Sequence, residues 1–126
     1  MYRDYCDIAH NNNKFIFMHS DGNILQIYPE LIEIGLDAIN SQLFVMDMQK
    51  LSKIAKGKIT LWGEIDRQHV LVSKDPKIVK DAVQKVATHF YDPSGGIIAQ
   101  FEFGPGAYPE NAQLIFSEWD QISLEK

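Results

Sequence analysis

Apolar positions in this chain fall into two alternating patterns. Short β-branched or aromatic runs occur at Phe15–Met18, Asp37–Asn40, Ile59–Trp62 and Ile97–Ala99. Between them lie longer stretches whose apolar residues recur three and four apart. The first pattern predicts buried strands and the second amphipathic helices. The helical stretches carry their own punctuation. "ILQIYPELIEIGLD" holds Pro29 at a first turn or a kink and closes at Gly35. "MDMQKLSKIAKGK" begins at the N-cap Asp47, aligns Met48, Leu51 and Ile54 on one face, and stops at Gly57. "DPKIVKDAVQKVATHF" has Asp75 as N-cap, Pro76 at the first helical position, and one stripe of Ile78/Val79, Ala82/Val83, Val86 and Phe90. "YPENAQLIFSEWDQI" opens at Pro109 and is expected to turn Ala112, Ile115/Phe116, Trp119 and Ile122 inward. A shorter helix is predicted over Tyr2–His10, and "KDP", "DPSGG" and "FGPG" read as loops.

The predicted order is therefore α-β-α-β-α-β-α-β-α, in one domain spanning residues 1–126. Every crossover is long enough for a helix, which calls for parallel strands joined by right-handed connections. Strands in sequential order would put every helix on one face, leaving the other to be covered by something else. A doubly wound order and closure with further strands are the alternatives. Four strands cannot close an eight-stranded barrel alone. The chain thus reads as half of an α/β structure.

Composition narrows the function classes. Of 126 residues, 45% are hydrophobic and 23% charged, with a net charge of -5, which lacks the basic footprint of a nucleic-acid binder. No apolar run approaches the roughly 18 residues that span a membrane. The opening "MYRDYCDIAHNNNK" has no signal-peptide core. The expected partner is a small molecule, in the cytoplasm, with no nucleic acid and no membrane. Cys6 stands alone, so it forms no internal disulfide, which fits a reducing compartment. It lies in a polar N-terminal segment and is expected to do no chemistry.

Chemistry in parallel α/β folds gathers at the carboxyl ends of strands, on loops held by a rigid scaffold. Here the first run is followed by His19 and Asp21, the second by Asn40 and Gln42. The third is followed by Glu64, Asp66, Arg67 and Gln68, and the fourth by Gln100 and Glu102. The opposite ends, "NNNK", "IGL", "KGK" and "PSGG", read as solvent punctuation. His19, Asp21 and Glu102 are the candidate acid/base residues. As a His with two carboxylates they also suit a zinc-like ion with an open position. Asn40, Gln42, Asp66, Arg67 and Gln68 are the candidate substrate-binding residues, the last three for an anionic group. Glu102, between two phenylalanines, is costly to bury unless it meets a metal or a donor. Plainer roles stand beside these. "SDGN" is good turn material, so Ser20 and Asn23 read as turn residues. Glu64 and Asp66 can cap the next segment, and Arg67 can pair with either. His10, His69 and His89 default to solvated surface positions.

"HSDGN", "LIEIGLDAIN", "ITLWGEIDRQ" and "IIAQFEFGPGAYPEN", in this order between residues 10 and 122, resemble the carboxyl-terminal part of the uroporphyrinogen decarboxylase superfamily. That superfamily includes the decarboxylase of haem biosynthesis and methyltransferases that move methyl groups between corrinoid proteins and thiols. The resemblance implies half of a TIM-type (β/α)8 barrel, equivalent to its fifth to eighth strands. It implies an activity that needs the amino-terminal half, so the isolated chain is expected to be inactive. That activity would be removal of porphyrinogen carboxylates without a cofactor, or zinc-assisted methyl transfer to a thiol from a corrinoid donor. The missing half would come from a second copy, as a homodimer, or from a partner chain. A half-barrel that only dimerises or binds a partner is the non-catalytic alternative. Two departures matter. The decarboxylase's Gly-His-Gly stretch reads Glu102-Phe103-Gly104 here, so its substrate-facing His is Phe103. The methyltransferases resemble an H-x-C zinc pattern, of which His19 is kept while Asp21 replaces the Cys. Phe101 or Glu102 stands near their second Cys.

Overall fold

The computed structural model describes residues 1–124 and turns the four apolar runs into four strands. These are β1 (Phe17–Ser20), β2 (Ala38–Ser41), β3 (Thr60–Ile65) and β4 (Ile97–Phe101). They form one parallel sheet in the order β1-β2-β3-β4. Helices alternate with them: α1 (Tyr2–Asn11), α2 (Tyr28–Glu33), α3 (Met48–Ala55), α4 (Pro76–Phe90) and α5 (Pro109–Leu124). The sheet is not closed, and the arrangement is that of a half-barrel.

Burial shows which face the helices cover. Ile39 and Ser41 on β2, and Leu61, Gly63 and Ile65 on β3, are buried. Ile39, Leu61 and Ile65 share one core with Leu51 and Ala55 of α3 and with Val79, Val83, Val86 and Phe90 of α4. The alternate residues point the other way. Phe17, Ala38, Thr60, Trp62 and Ile98 on that face are exposed or half-buried. The rings of Phe17 and Trp62 meet there at 5.2 Å, with Ala38 of β2 between their strands. Glu64 shares this open face by register, yet it is buried.

Local chemistry sets the element boundaries. The Asp47 carboxylate accepts from the Lys50 backbone N–H at 3.0 Å, and Asp75 accepts from that of Lys77 at 2.9 Å, as the cap signals predict. The first helical stretch is shorter than its pattern: a 3-10 turn over Leu25–Ile27 leads into α2, whose first turn holds Pro29. Gly35 follows at φ +89°, with the His10 ring 3.4 Å from where a Cβ would stand.

Several expectations need correction. His10 is not simply solvated, because its Nε2 lies 2.9 Å from Asp37 Oδ2 and ties α1 to the start of β2. The same carboxylate oxygen accepts from the Ile16 N–H at 2.8 Å. Burial pushes Asp37 up, but these hydrogen bonds outweigh it and hold the carboxyl below its usual range. Cys6 is the buried residue of α1, although its segment is polar. Burial pushes its thiol up, which supports a packing role over a reactive one. On α5, Ile115 is buried but Phe116 is 61% exposed. The reason is the sheet's open edge: Phe116 lies against Phe101 of β4, and among the described residues no further strand flanks β4. Ile78 of α4 is likewise exposed, outside the buried stripe. In place of Phe116, α5 buries Asn111 and Glu118. Asn111 donates to the carbonyls of Leu71 and Ser73 at 2.9 and 2.8 Å, and so anchors the loop after β3. Glu118 receives Lys80 Nζ at 3.0 Å, which joins α4 to α5.

Candidate functional site

The carboxyl ends of all four strands meet in one polar rim. The loop after β3 brings Arg67 to its centre. Asp66 makes that loop, accepting from the backbone N–H groups of Gln68 and His69 at 2.7 and 3.1 Å and lying 2.9 Å from the His69 ring. The backbone N–H groups of Val70 and Leu71 return to the Asp66 carbonyl, both at 3.1 Å. The chain beyond is pinned to α5 through Asn111.

Arg67 faces three carboxylates. It donates to Glu102 of the loop after β4, lies 3.4 Å from Asp21 Oδ2 after β1, and 3.9 Å from Glu64 Oε1 on β3. The side chain of Glu64 is 6% exposed, against 53% for Asp21 and 56% for Glu102. One guanidinium among three carboxylates leaves a cluster of net charge -2, counted from these four groups. Burial pushes the Glu64 carboxyl up, and the charges of Glu102 and Asp21 push the same way. Arg67 and a hydrogen bond from Gln42 only partly oppose them. The Glu64 charge, with those of Glu102 and Asp21, in turn holds the guanidinium firmly protonated. A cleft of about 140 Å³ opens beside Glu64 and Arg67, walled by Gln42, Phe44, Val45 and Gln68.

A second network crosses the open face. The Asn40 amide donates to the Trp62 carbonyl at 2.9 Å and to Gln100 Oε1 at 3.1 Å. Its oxygen is therefore the acceptor 2.6 Å from His19 Nδ1, so the network assigns the imidazole proton to Nδ1. Nε2 is left able to take a proton, 3.8 Å from Asp21 Oδ1. Gln42 holds the loop after β1 through its oxygen, which accepts from the Gly22 N–H at 2.8 Å.

The structure thus brings His19, Asp21, Asn40, Gln42, Arg67 and Glu102 to one rim, but in altered roles. Asp66 lines the cleft with its oxygens committed to the turn. Burial pushes its carboxyl up, but the hydrogen bonds around it prevail and keep it ionised to lower pH than usual. Gln68 is exposed at the cleft wall. Glu102 is half exposed and paired with Arg67, so a cost of burial does not explain it. Asp21 and Glu102 both turn to Arg67, so a cation held between them and His19 would have to displace the guanidinium. Among the described residues no three His, Cys, Asp or Glu side chains converge as a metal-binding group.

Glu64 is the residue that the sequence-based set of candidates left out. Alternation was the available signal. In "ITLWGEI", Leu61, Gly63 and Ile65 face the helices, which assigns Glu64 to the interior-facing side with Trp62.

A family model described as Uroporphyrinogen decarboxylase (URO-D) matches residues 1–121. No curated protein matches the chain.

Proposed function

The chain belongs to the uroporphyrinogen decarboxylase family, and on that basis we propose that it supplies half of a decarboxylase-like (β/α)8 barrel acting on a small carboxylated substrate. The observation that carries this reading is Glu64, a buried carboxyl on the interior-facing side of β3, beside a cleft, with its proton affinity raised. Decarboxylation breaks a carbon–carbon bond. Carbon dioxide leaves, the electron pair stays on the substrate carbon, and that carbon must then take a proton. A carboxyl that keeps its proton to higher pH than usual is suited to give it. Arg67 is a positioning residue in this scheme: it holds Asp21 and Glu102 in place and limits how far Glu64 is shifted. His19 Nε2 is a second group able to exchange a proton at the rim.

Several observations bear on the choice between activities. Thiol methyl transfer through zinc finds no support in a rim whose carboxylates are engaged by Arg67, so no step is derived through a metal. An anionic substrate group would have to compete with three carboxylates for Arg67, which shifts recognition of such a group towards the half of the barrel that this sheet lacks. The bare face with its Phe17–Trp62 pair also favours a second reading, a half-barrel that binds a partner without catalysis.

The test is carbon dioxide loss from uroporphyrinogen, followed by mass spectrometry of the porphyrinogen carboxylates, with the assembled protein. Successive losses are expected, and Glu64→Gln should slow them by about 10²-fold or more while leaving the assembly intact. Assembled protein that releases no carbon dioxide would leave the partner-binding reading in place.

A further inference from the structure

We propose that His69 is the proton relay of the rim: its imidazole, aimed by Asp66, carries protons from solvent to Glu64 after each turnover. The role rests on the decarboxylase reading above and adds to it the reloading of the acid.

Proton balance sets the need. Loss of carbon dioxide from a carboxylate leaves an electron pair on carbon, and that carbon takes one proton. Each turnover therefore consumes one proton from solvent. When Glu64 gives it, Glu64 is left as a carboxylate and must be reloaded. Its side chain is only 6% exposed. A substrate seated in the cleft narrows that access further, so bulk water reaches Glu64 poorly.

The cleft wall holds a carrier. Among the described residues, Glu64, Asp66, Arg67 and His69 are the ionisable side chains that line this space of about 140 Å³. Glu64 and the other carboxylates hold Arg67 protonated. Burial pushes Asp66 up, but its hydrogen bonds prevail and keep it ionised. His69 remains, and imidazole is the side chain that takes and gives protons near neutrality. His19 lies elsewhere on the rim and does not line the cleft.

Geometry prepares the ring for this role. Asp66 Oδ2 lies 2.9 Å from His69 Nδ1. An ionised carboxylate only accepts, so Nδ1 carries the proton of the neutral ring and Nε2 is bare. Asp66 Oδ1 accepts from the backbone N–H groups of Gln68 and His69, which fixes the carboxylate and with it the ring. These two bonds already close the turn, so the imidazole is an addition to it. The His69 side chain is 80% exposed and stands at the wet end of the cleft, with Glu64 at the dry end. The space between has room for several waters, which occupy about 30 Å³ each in the liquid. Nε2 takes a proton from solvent and becomes imidazolium. That proton passes through the cleft water to the Glu64 carboxylate, which returns as the carboxyl while the ring returns to neutral.

Kinetics of carbon dioxide release by the assembled protein test the relay. Reloading follows the release, so it enters kcat and not kcat/KM. His69→Ala should lower kcat by about tenfold, less than the roughly 10²–10⁴-fold carried by a group that itself gives the proton, and leave kcat/KM unchanged. His69→Gln, which keeps a donor for Asp66, should do the same. Added imidazole should restore kcat in both variants and not in Glu64→Gln. Imidazole nitrogen NMR on the full chain should place the proton of the neutral His69 ring on Nδ1. An unchanged kcat in both variants, an equal fall in kcat/KM, no rescue by imidazole, or a neutral ring protonated on Nε2 overturns the relay. Wild-type protein that releases no carbon dioxide contradicts the decarboxylase reading and takes the relay with it. Loss of activity in Glu64→Gln beside full activity in both His69 variants contradicts the relay alone.

Discussion

Gly63→Ala lowers the free energy of unfolding by about 1–3 kcal/mol, the usual range for forcing a methyl group into a packed core. On backbone grounds the change should help, since glycine weakens a strand interior. Packing decides otherwise. A Cβ at Gly63 would stand 2.1 Å from Leu43 Cδ1 and 2.6 Å from its Cγ. Leu43 is 0% exposed and so has little room to retreat. Urea unfolding of Gly63→Ala, Leu43→Ala and the double variant checks this. Leu43→Ala alone leaves a cavity and costs about 2–5 kcal/mol. In the double variant the new methyl enters that space, so the combined loss should be smaller than the sum of the two. Additive losses would mean that the two residues do not meet as described. The effect reaches the site, because Glu64 is the next residue on the strand.

Arg67→Met destabilises the protein most near neutral pH and least in acid. The variant leaves three carboxylates facing one another, of which Glu64 is nearly inaccessible to water and gains least from counter-ions. Arg67 lowers the proton affinity of Glu64, so removing it raises that affinity further. The native variant then holds its proton at pH values where the unfolded chain has released it. Stability therefore falls as pH rises through that window, and falls over a wider window than in the parent. Thermal melts across pH should diverge between the two proteins towards neutrality and converge as the carboxylates protonate. High salt should recover part of the loss, the part due to the half-exposed Asp21 and Glu102. A difference independent of pH would show that Arg67 acts by packing and not by charge.

The fold was legible because its signals are local. Asp47 and Asp75 cap the helices that their positions announce, and the "DPKIVKDAVQKVATHF" stripe becomes α4 almost residue for residue. Periodicity could not show that β4 is an edge, and this is why Phe116 was expected inside. The rim was legible as a set of residues at strand ends, since parallel sheets place loops there. Its wiring was not. Asp66 and Arg67 are neighbours in sequence, yet one builds the turn and the other spans three strands, a division that only tertiary contact makes. Cys6 and His10 show the same limit, for a polar stretch hides which of its residues meets a core or a distant carboxylate. Glu64 could have been found by carrying the two-residue period of β3 past its apolar part.

The most direct measurement of the central claim is the titration of Glu64 itself, by carboxyl-carbon NMR on glutamate-labelled protein, with Glu64→Gln assigning the signal. The account predicts a midpoint above the ordinary 4.5, moving down in Glu102→Gln as one of the neighbouring charges is removed. A midpoint at or below 4.5, or one indifferent to Glu102, would contradict it.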